Sequence, residues 1–332
     1  MRLVLLALLL APTAACHKDT NDGPDAAVLT GETYTLKWGP VTVQPSQEDT
    51  QCIWVRLPNS GSIKVPRMHN TLSSSSHHLI VYKDDMDTTE QTTPIPCQPF
   101  TGALNTTGMV APMVITQKHE DLVALPDGVA YTFSPNQMIK LEMHYINSTE
   151  DPHDAEATVE FEVGDEALIH DEASIIFAGS PDISIAPGQQ ATLHQFFAVP
   201  SYLDLSTSHI FAITGHEHQY GTGVQVNVAP SMAGPMTPVY TPNPFLWSEP
   251  VTQQQAPDFS VPKDGGFDFT CTWTNTSAQT VKFGESANNE MCFFWAYYWP
   301  SQGSKVCFHT MQYGGHDLCC PGDSLCSLAS NF

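Results

Sequence analysis

No stretch of this chain repeats apolar residues at the spacing of an amphipathic helix, and this absence limits the possible folds more than any other feature. Pro (26) and Gly (21) recur along the chain, and charged residues make up only 14% of it. Such residues favour turns, and the apolar segments between them are short. The sequence therefore predicts an all-β protein of many short strands arranged as antiparallel sandwiches.

The length indicates more than one domain. A chain of 332 residues exceeds a typical domain of about 100–150 residues, so we predict two tandem antiparallel β-sandwich, jelly-roll-like domains. We place the first at 28–170, the second at 171–302 and a cysteine-rich, loop-rich tail at 303–332. Residues 147–155 and 230–250 are predicted loops. Two tandem sandwiches leave a cleft between them, where ligand sites are common.

The N-terminus predicts export. Arg2 precedes a short apolar run, and small residues follow up to Cys16. The run is too short to span a bilayer, so residues 1–16 are interpreted as a signal peptide of the bacterial lipoprotein type, with Cys16 as lipid anchor. Ordinary cleavage nearby is the alternative. Residues 17–27 then form a polar tether, and the protein is placed on the outer membrane or in the periplasmic or extracellular space.

Charge and cysteine content agree with this interpretation. A net charge of −23, with only 12 Lys and Arg, disfavours binding to nucleic acid, and the only membrane contact we expect is the lipid anchor. If Cys16 carries lipid, eight of the nine cysteines remain, which predicts four disulfides of undetermined pairing. A Cys/His metal site in the tail, with His309 or His316, is an alternative that an oxidising compartment disfavours.

Histidines in two places have spacings that suit a metal. His216 and His218 are two residues apart, so on a strand both imidazoles face the same side. Imidazole suits Cu, Zn, Fe and Ni; the alternative is two exposed polar residues at a strand end. His77 and His78 are adjacent, and they need a bend or β-bulge to share an ion.

Two further residues are candidate ligands. His144 follows an alternation of apolar and polar residues from Ile139, which places it on the polar face of a predicted half-buried strand. Met291 lies in a predicted polar turn beside Cys292. Its thioether prefers Cu(I), although core packing is the commoner role of a methionine.

Taken together in chain order, these candidate ligands and their neighbours give the chain a sequence that resembles the copper type II ascorbate-dependent monooxygenases. That family includes peptidylglycine α-hydroxylating monooxygenase and dopamine β-monooxygenase. The resemblance covers roughly residues 30–300. It begins with a cysteine, Cys52, ahead of the His77-His78 pair, and continues with the strand end His144-Tyr145. It then has a His-x-His near a glycine, from His216 to Gly221, and the motif Glu290-Met291-Cys292 before an aromatic strand.

The resemblance implies a function. A first copper, which supplies an electron, is held by His77, His78 and His144. A second, which binds O2 beside the substrate, is held by the proposed catalytic ligands, His216, His218 and Met291. The two sites are expected to face one another across a gap. Ascorbate or another one-electron donor reduces the copper, and a C–H bond of a small-molecule or modified-peptide substrate is hydroxylated. The family's disulfides correspond to Cys52–Cys97 and Cys271–Cys292.

Departures from the family's pattern concern the substrate. Thr214 stands where peptide-amidating members have an Arg that binds a carboxylate, and Phe293 and Trp295 replace an Asn and a Tyr. A more apolar or aromatic substrate is expected in consequence. Glu142 replaces a Gln. The alternative functions are an exported copper-binding or sequestration protein without turnover, and a structural β-sandwich protein, which the ordered set of six ligand types disfavours. Zinc is disfavoured because Met is a poor zinc ligand.

Overall fold

The structure is a computed structural model that describes residues 29–100, 108–311 and 314–326. Strands dominate these residues, which confirms the all-β prediction, and Glu166–Leu168 forms a short 3-10 turn. Nothing within these ranges is a helix of the length and apolarity needed to cross a membrane. The predicted signal peptide, its Cys16 and the tether lie outside the described residues.

The described residues up to Glu172 form twelve strands. They are β1 (Leu29–Val43), β2 (Glu48–Arg56), β3 (Ile63–Val65), β4 (Arg67–Leu72), β5 (Ser76–Asp84), β6 (Gln91–Pro96), β7 (Val110–Thr116), β8 (Glu120–Ala124), β9 (Val129–Phe133), β10 (Met138–Ile146), β11 (His153–Gly164) and β12 (Asp171–Glu172).

From Ser174 to Cys320 the described part of the chain forms twelve more strands. They are β13 (Ser174–Gly179), β14 (Ser184–Ile185), β15 (Gln190–Ala198), β16 (His209–His216), β17 (Gly221–Ala229), β18 (Thr237–Tyr240), β19 (Gln253–Phe259), β20 (Gly266–Thr274), β21 (Val281–Lys282), β22 (Phe293–Trp299), β23 (Lys305–Thr310) and β24 (His316–Cys320).

Two sheets form the first sandwich. One has the order β1-β11-β4-β8 and the other β6-β2-β10-β5-β7, with antiparallel pairing within each. Trp38, Leu141 and Phe161 are among the fully buried side chains of its core. A small sheet, β12-β9-β3, lies where the chain leaves this sandwich.

The second sandwich combines a six-stranded sheet, β19-β16-β22-β13-β23-β24, with a four-stranded one, β15-β20-β17-β18. The segment predicted as a loop-rich tail supplies two strands, β23 and β24, to the larger sheet. The predicted loop 230–250 likewise contains the short strand β18, which pairs with β17.

Strand β22 shows how the two sandwiches meet. Its sequence, Phe-Phe-Trp-Ala-Tyr-Tyr-Trp, is apolar or aromatic at every position. Because successive strand residues point to opposite faces, Phe294 and Tyr298 enter the second sandwich's core. Phe293, Trp295 and Tyr297 instead join the core that includes the first sandwich. The six-stranded sheet is therefore buried on both faces, and its outer face packs against the first domain.

All eight cysteines from Cys52 onward form disulfides: Cys52–Cys97, Cys271–Cys292, Cys307–Cys319 and Cys320–Cys326. The first two are the pairings that the family resemblance implies. The last two pair the tail cysteines among themselves, so no free thiol is left there for a Cys/His metal site. Four disulfides are typical of an exported protein.

Candidate copper centres

His77, His78 and His144 come together at the end of two paired strands. His144 on β10 lies opposite His78 on β5, whereas Tyr145 lies opposite Ser76, so His77 is the extra residue of a β-bulge. The bulge turns two adjacent imidazoles to one side, as sharing a metal requires. One ligand atom from each of the three histidines lies within 4.8 Å of those of the other two.

The strand that carries His144 is more buried than its alternation predicts. Strand β10 is the central strand of its sheet, and Lys140, Glu142 and His144 on its polar face are all buried. The prediction of a half-buried strand is therefore wrong in this respect. The face expected to meet solvent is covered by first-domain side chains such as Trp54, which lies over Lys140, and Glu285 of the second domain lies close to Glu142. The buried Lys140 ammonium and Glu142 carboxylate pair at 2.8 Å, and the Tyr82 hydroxyl also donates to Glu142, at 3.0 Å.

His216 and His218 lie at and just beyond the end of β16. Strand β16 pairs His216 with Phe293, whose side chain faces the first domain. The two imidazole centroids are 5.0 Å apart. Glu217, between them, accepts the N–H groups of Gly223 and Thr272 at 3.1 and 3.0 Å. Only glycine fits at 221, because a Cβ there would lie 2.4 Å from the Glu217 Cβ.

Met291 is buried and joined to His218 through Glu290. The Glu290 carboxylate accepts the backbone N–H groups of His218, Tyr220 and Met291 at 2.9, 2.7 and 3.2 Å. It also accepts the Trp273 indole N–H at 2.9 Å. The polar turn predicted at Met291 is thus a buried turn, fixed by one carboxylate and by the adjoining Cys271–Cys292 disulfide.

The two groups of histidines touch. The ring centroids of His77 and His218 are 6.0 Å apart, and those of His78 and His216 are 6.2 Å apart. The expected gap between the sites is therefore absent from this arrangement, in which five imidazoles form one cluster between the facing sheets. The reason is the close packing of the second domain's aromatic face on the first domain.

Four of these imidazoles, those of His77, His78, His216 and His218, have lowered pKa values and are therefore suited to bind a metal. Burial, and then repulsion from neighbouring imidazoles, lowers the pKa of His77, His78 and His216 well below its ordinary value. The same causes lower the pKa of His218 to about 3. A neutral imidazole offers the lone pair that a metal needs.

Several imidazole nitrogens are buried without a hydrogen-bond partner among the described residues: His77 Nε2, His78 Nδ1, His144 Nδ1 and both ring nitrogens of His218. Each such atom costs about 1–3 kcal/mol if it stays unpaired. A metal ion would satisfy them, so the residues present fit one. The thioether of Met291 adds a soft donor that favours Cu(I) over zinc.

Two side chains that the sequence did not single out orient the candidate ligands. His144 Nε2 lies 3.0 Å from a carboxylate oxygen of Glu48, which leaves Nδ1 for a metal. His216 Nδ1 lies 2.8 Å from Gln117 Oε1, which leaves Nε2. The Gln117 amide nitrogen donates to the Trp247 carbonyl at 3.2 Å, and this contact fixes which end of the amide faces His216. Neither side chain lies near its histidine in sequence.

A small cavity adjoins both groups. His78, His216 and Met291 reach it, and the rest of its wall is mainly apolar or aromatic, from Ile80, Phe100, Ile115, Phe177 and Trp295. Its open volume is about 20 Å³, enough for about one water molecule. Burial, and then the neighbouring Glu142, raises the pKa of Glu285, the acidic side chain of this wall, to about 8.

Fold and site together define a two-domain β-sandwich protein with a buried cluster of histidines and a methionine between its domains. Residues 171–317 match the family model described as copper type II ascorbate-dependent monooxygenase, C-terminal domain. This match confirms, for residues 171–317, the resemblance found in the sequence.

Other comparisons add little. No curated protein matches the chain. Among solved structures, the STIV MCP is 10% identical with a TM-score of 0.35, over 81% of this chain and 96% of that one. The major capsid protein P2 from Bacteriophage PM2 is 10% identical with a TM-score of 0.36, over 82% and 100%. Likenesses this distant carry no argument about function.

Proposed function

We propose that the protein is a copper-dependent monooxygenase that hydroxylates a C–H bond of a small organic substrate, with O2 and a one-electron reductant such as ascorbate. One observation carries the proposal: all six candidate ligands lie in or beside one buried cluster, in a chain whose second half matches the family. Bound copper would supply electron storage and O2 activation.

The chain would hold two ions. His77, His78 and His144 would bind the first, and His216, His218 and Met291 the second. Glu48, bonded to His144 Nε2, would direct Nδ1 of that ring to the first ion, and Gln117, bonded to His216 Nδ1, would direct Nε2 to the second, as hydrogen-bonded partners of metal-bound histidines generally do. The surrounding aromatic side chains would exclude water from the site.

The cavity favours an apolar or aromatic substrate. None of the described residues that line it is a lysine or arginine, and Thr214, at the position of the family's Arg, bonds to Thr252 at 2.9 Å instead. A carboxylate-bearing peptide would find no charged partner here, so peptide amidation is disfavoured. Because the cavity has room for about one water, substrate entry would require the domains or the aromatic wall to move.

The same lack of space favours a second candidate, an exported copper carrier without turnover. Ascorbate-dependent O2 consumption by the copper-loaded protein separates the two. An oxygenase consumes O2 faster when a suitable aromatic or apolar compound is added and converts that compound to its hydroxylated product. A carrier binds copper tightly and yields no product with any compound tested.

A substitution at Met291 gives the most direct test of its role in turnover. Met291→Ile should abolish turnover and leave the fold intact, because isoleucine fills a similar volume but lacks the sulfur ligand. Met68→Ile is the matched control, since Met68 is equally buried but lies in β4, away from the histidines. Full turnover by Met291→Ile would remove Met291 from the mechanism.

We further propose that Cys16 carries a lipid that anchors the exported protein to the bacterial outer membrane. The supporting feature is the run of small residues before Cys16, which follows a short apolar segment. Mass spectrometry of the mature N-terminus tests this proposal. A diacylglyceryl-modified Cys16 supports it, and an unmodified N-terminus at another residue contradicts it.

A further inference from the structure

The Glu48 carboxylate contacts both domains at once. Glu48 begins β2 in the first domain, and one of its oxygens lies 3.0 Å from His144 Nε2. The same oxygen accepts the backbone N–H of Ala287 at 2.6 Å, and the other accepts the Ser286 hydroxyl at 2.8 Å. A single side chain therefore joins a candidate ligand of the first site to a loop of the second domain.

That loop is the one that leads into Met291. It closes on itself through backbone bonds, in which the Glu290 N–H donates to the Lys282 carbonyl at 2.9 Å and the Asn289 N–H donates to the Ser286 carbonyl at 2.8 Å. Ser286 and Ala287 lie near its tip, whereas Met291 directly follows its base. Because the loop is closed, a contact that holds its tip also restricts its base.

From these contacts we propose that Glu48 is a positioning residue that couples the two candidate copper sites. It keeps His144 Nδ1 directed to His77 and His78, and it holds the loop that carries Met291 against the first domain. The inference rests on the proposed function, because the coupling matters only if both sites bind copper. Loss of such a partner of a metal-bound histidine generally weakens metal binding by about 10–100-fold.

Three variants test this role. Glu48→Ala removes every bond of the carboxylate. Glu48→Gln keeps one carbonyl acceptor for Ala287 and His144, and its amide can donate to the Ser286 hydroxyl. Glu160→Ala is the matched control, because Glu160 also contacts an imidazole nitrogen, His69 Nδ1 at 3.2 Å, but lies in the other sheet of the first domain.

Two measurements on the full-length exported protein give the readouts. Hydrogen exchange of the metal-free protein reports on the loop, and titration of copper against a competing chelator reports on each site. In Glu48→Ala we expect exchange about tenfold faster or more at the Ala287 amide, since a bond to a charged acceptor is lost. We also expect copper binding about 10–100-fold weaker at the first site. Glu48→Gln should recover most of both, and Glu160→Ala should match the wild type.

Glu48→Ala with wild-type exchange, or with faster exchange but wild-type copper affinity, would overturn the inference. If Glu48→Ala does not fold, Ser286→Ala removes one contact from the other side, and unchanged loop exchange in that variant would overturn it equally. Wild-type protein that binds no copper would instead overturn the proposed function, and with it any role of Glu48 at a metal. If the wild-type protein binds copper normally and the Glu48 variants keep wild-type loop exchange and copper affinity, this inference is refuted and the proposed function is not.

Discussion

The Cys271–Cys292 disulfide provides a prediction whose magnitude follows from the structure. It connects β20 in the four-stranded sheet to the residue that precedes β22 in the six-stranded sheet, directly after Met291. The sequence separation of its cysteines is 21 residues. The chain-entropy relation for a loop of this size gives about 3 kcal/mol of unfolding free energy lost when both cysteines become alanine.

The Cys320–Cys326 disulfide is a matched comparison, since it closes only 6 residues and lies in β24 and the turn after it. The same relation gives about 2 kcal/mol for its removal. Urea denaturation followed by tryptophan fluorescence measures both losses, and chelator competition measures copper. We expect Cys271→Ala/Cys292→Ala to be the less stable double variant and the only one of the two that loses affinity at the second site. An equal or reversed order of stability, or unchanged copper binding in both, would refute the reasoning.

Three further predictions concern single side chains. Gln117→Leu should weaken copper binding at the second site by about 10–100-fold and spare the first, because His216 loses the partner of its Nδ1; equal loss at both sites in a chelator titration would contradict this. Glu142→Gln should cost about 3 kcal/mol, because it removes the carboxylate that pairs with the buried Lys140 ammonium, and adding Lys140→Met should recover most of that loss in urea denaturation. Although burial opposes it, hydrogen bonds to Glu160 and Glu120 raise the pKa of His69. The stability that His69 contributes should therefore be complete below about pH 6.5 and disappear as the pH rises through its raised folded pKa, so a pH-independent difference between wild type and His69→Gln would be the contrary result.

Local pattern was enough to predict the strands that carry the candidate ligands. The alternation before His144 and the apolar segment before His216 each indicated a strand, and the structure has β10 and β16 there. Strand β16 ends at His216, so His218 lies beyond the strand that its spacing from His216 presupposed. The need for a bulge at His77-His78 also followed from strand geometry. Its position, between Ser76 and His78, came only from the register with β10.

The contact between the two sites could not be predicted from local sequence patterns, because it depends on how one sandwich packs on the other. A signal for that packing does exist in β22, whose uninterrupted apolar run indicates a strand buried on both faces. Glu48 and Gln117 had no comparable signal. They lie 96 and 99 residues from the histidines they contact, and in sequence each is an ordinary polar residue.

The tail strands were missed for a different reason. The glycines and cysteines around β23 and β24 are typical of turns, so the sequence there predicted a loop. In the structure β23 forms a strand by pairing with β13, and β24 forms one by pairing with β23. The tail disulfide pairing was similarly undetermined, because cysteine spacing alone permits several connectivities.

The central claim is that six side chains bind two copper ions, and quantitative metal analysis with electron paramagnetic resonance tests it most directly. We predict two copper ions per wild-type chain, with a Cu(II) signal that ascorbate removes. His144→Ala should retain about one ion, with the signal of the His216/His218 site only. A wild-type chain that retains no copper, or a His144→Ala variant that still holds two ions with an unchanged spectrum, would contradict the claim.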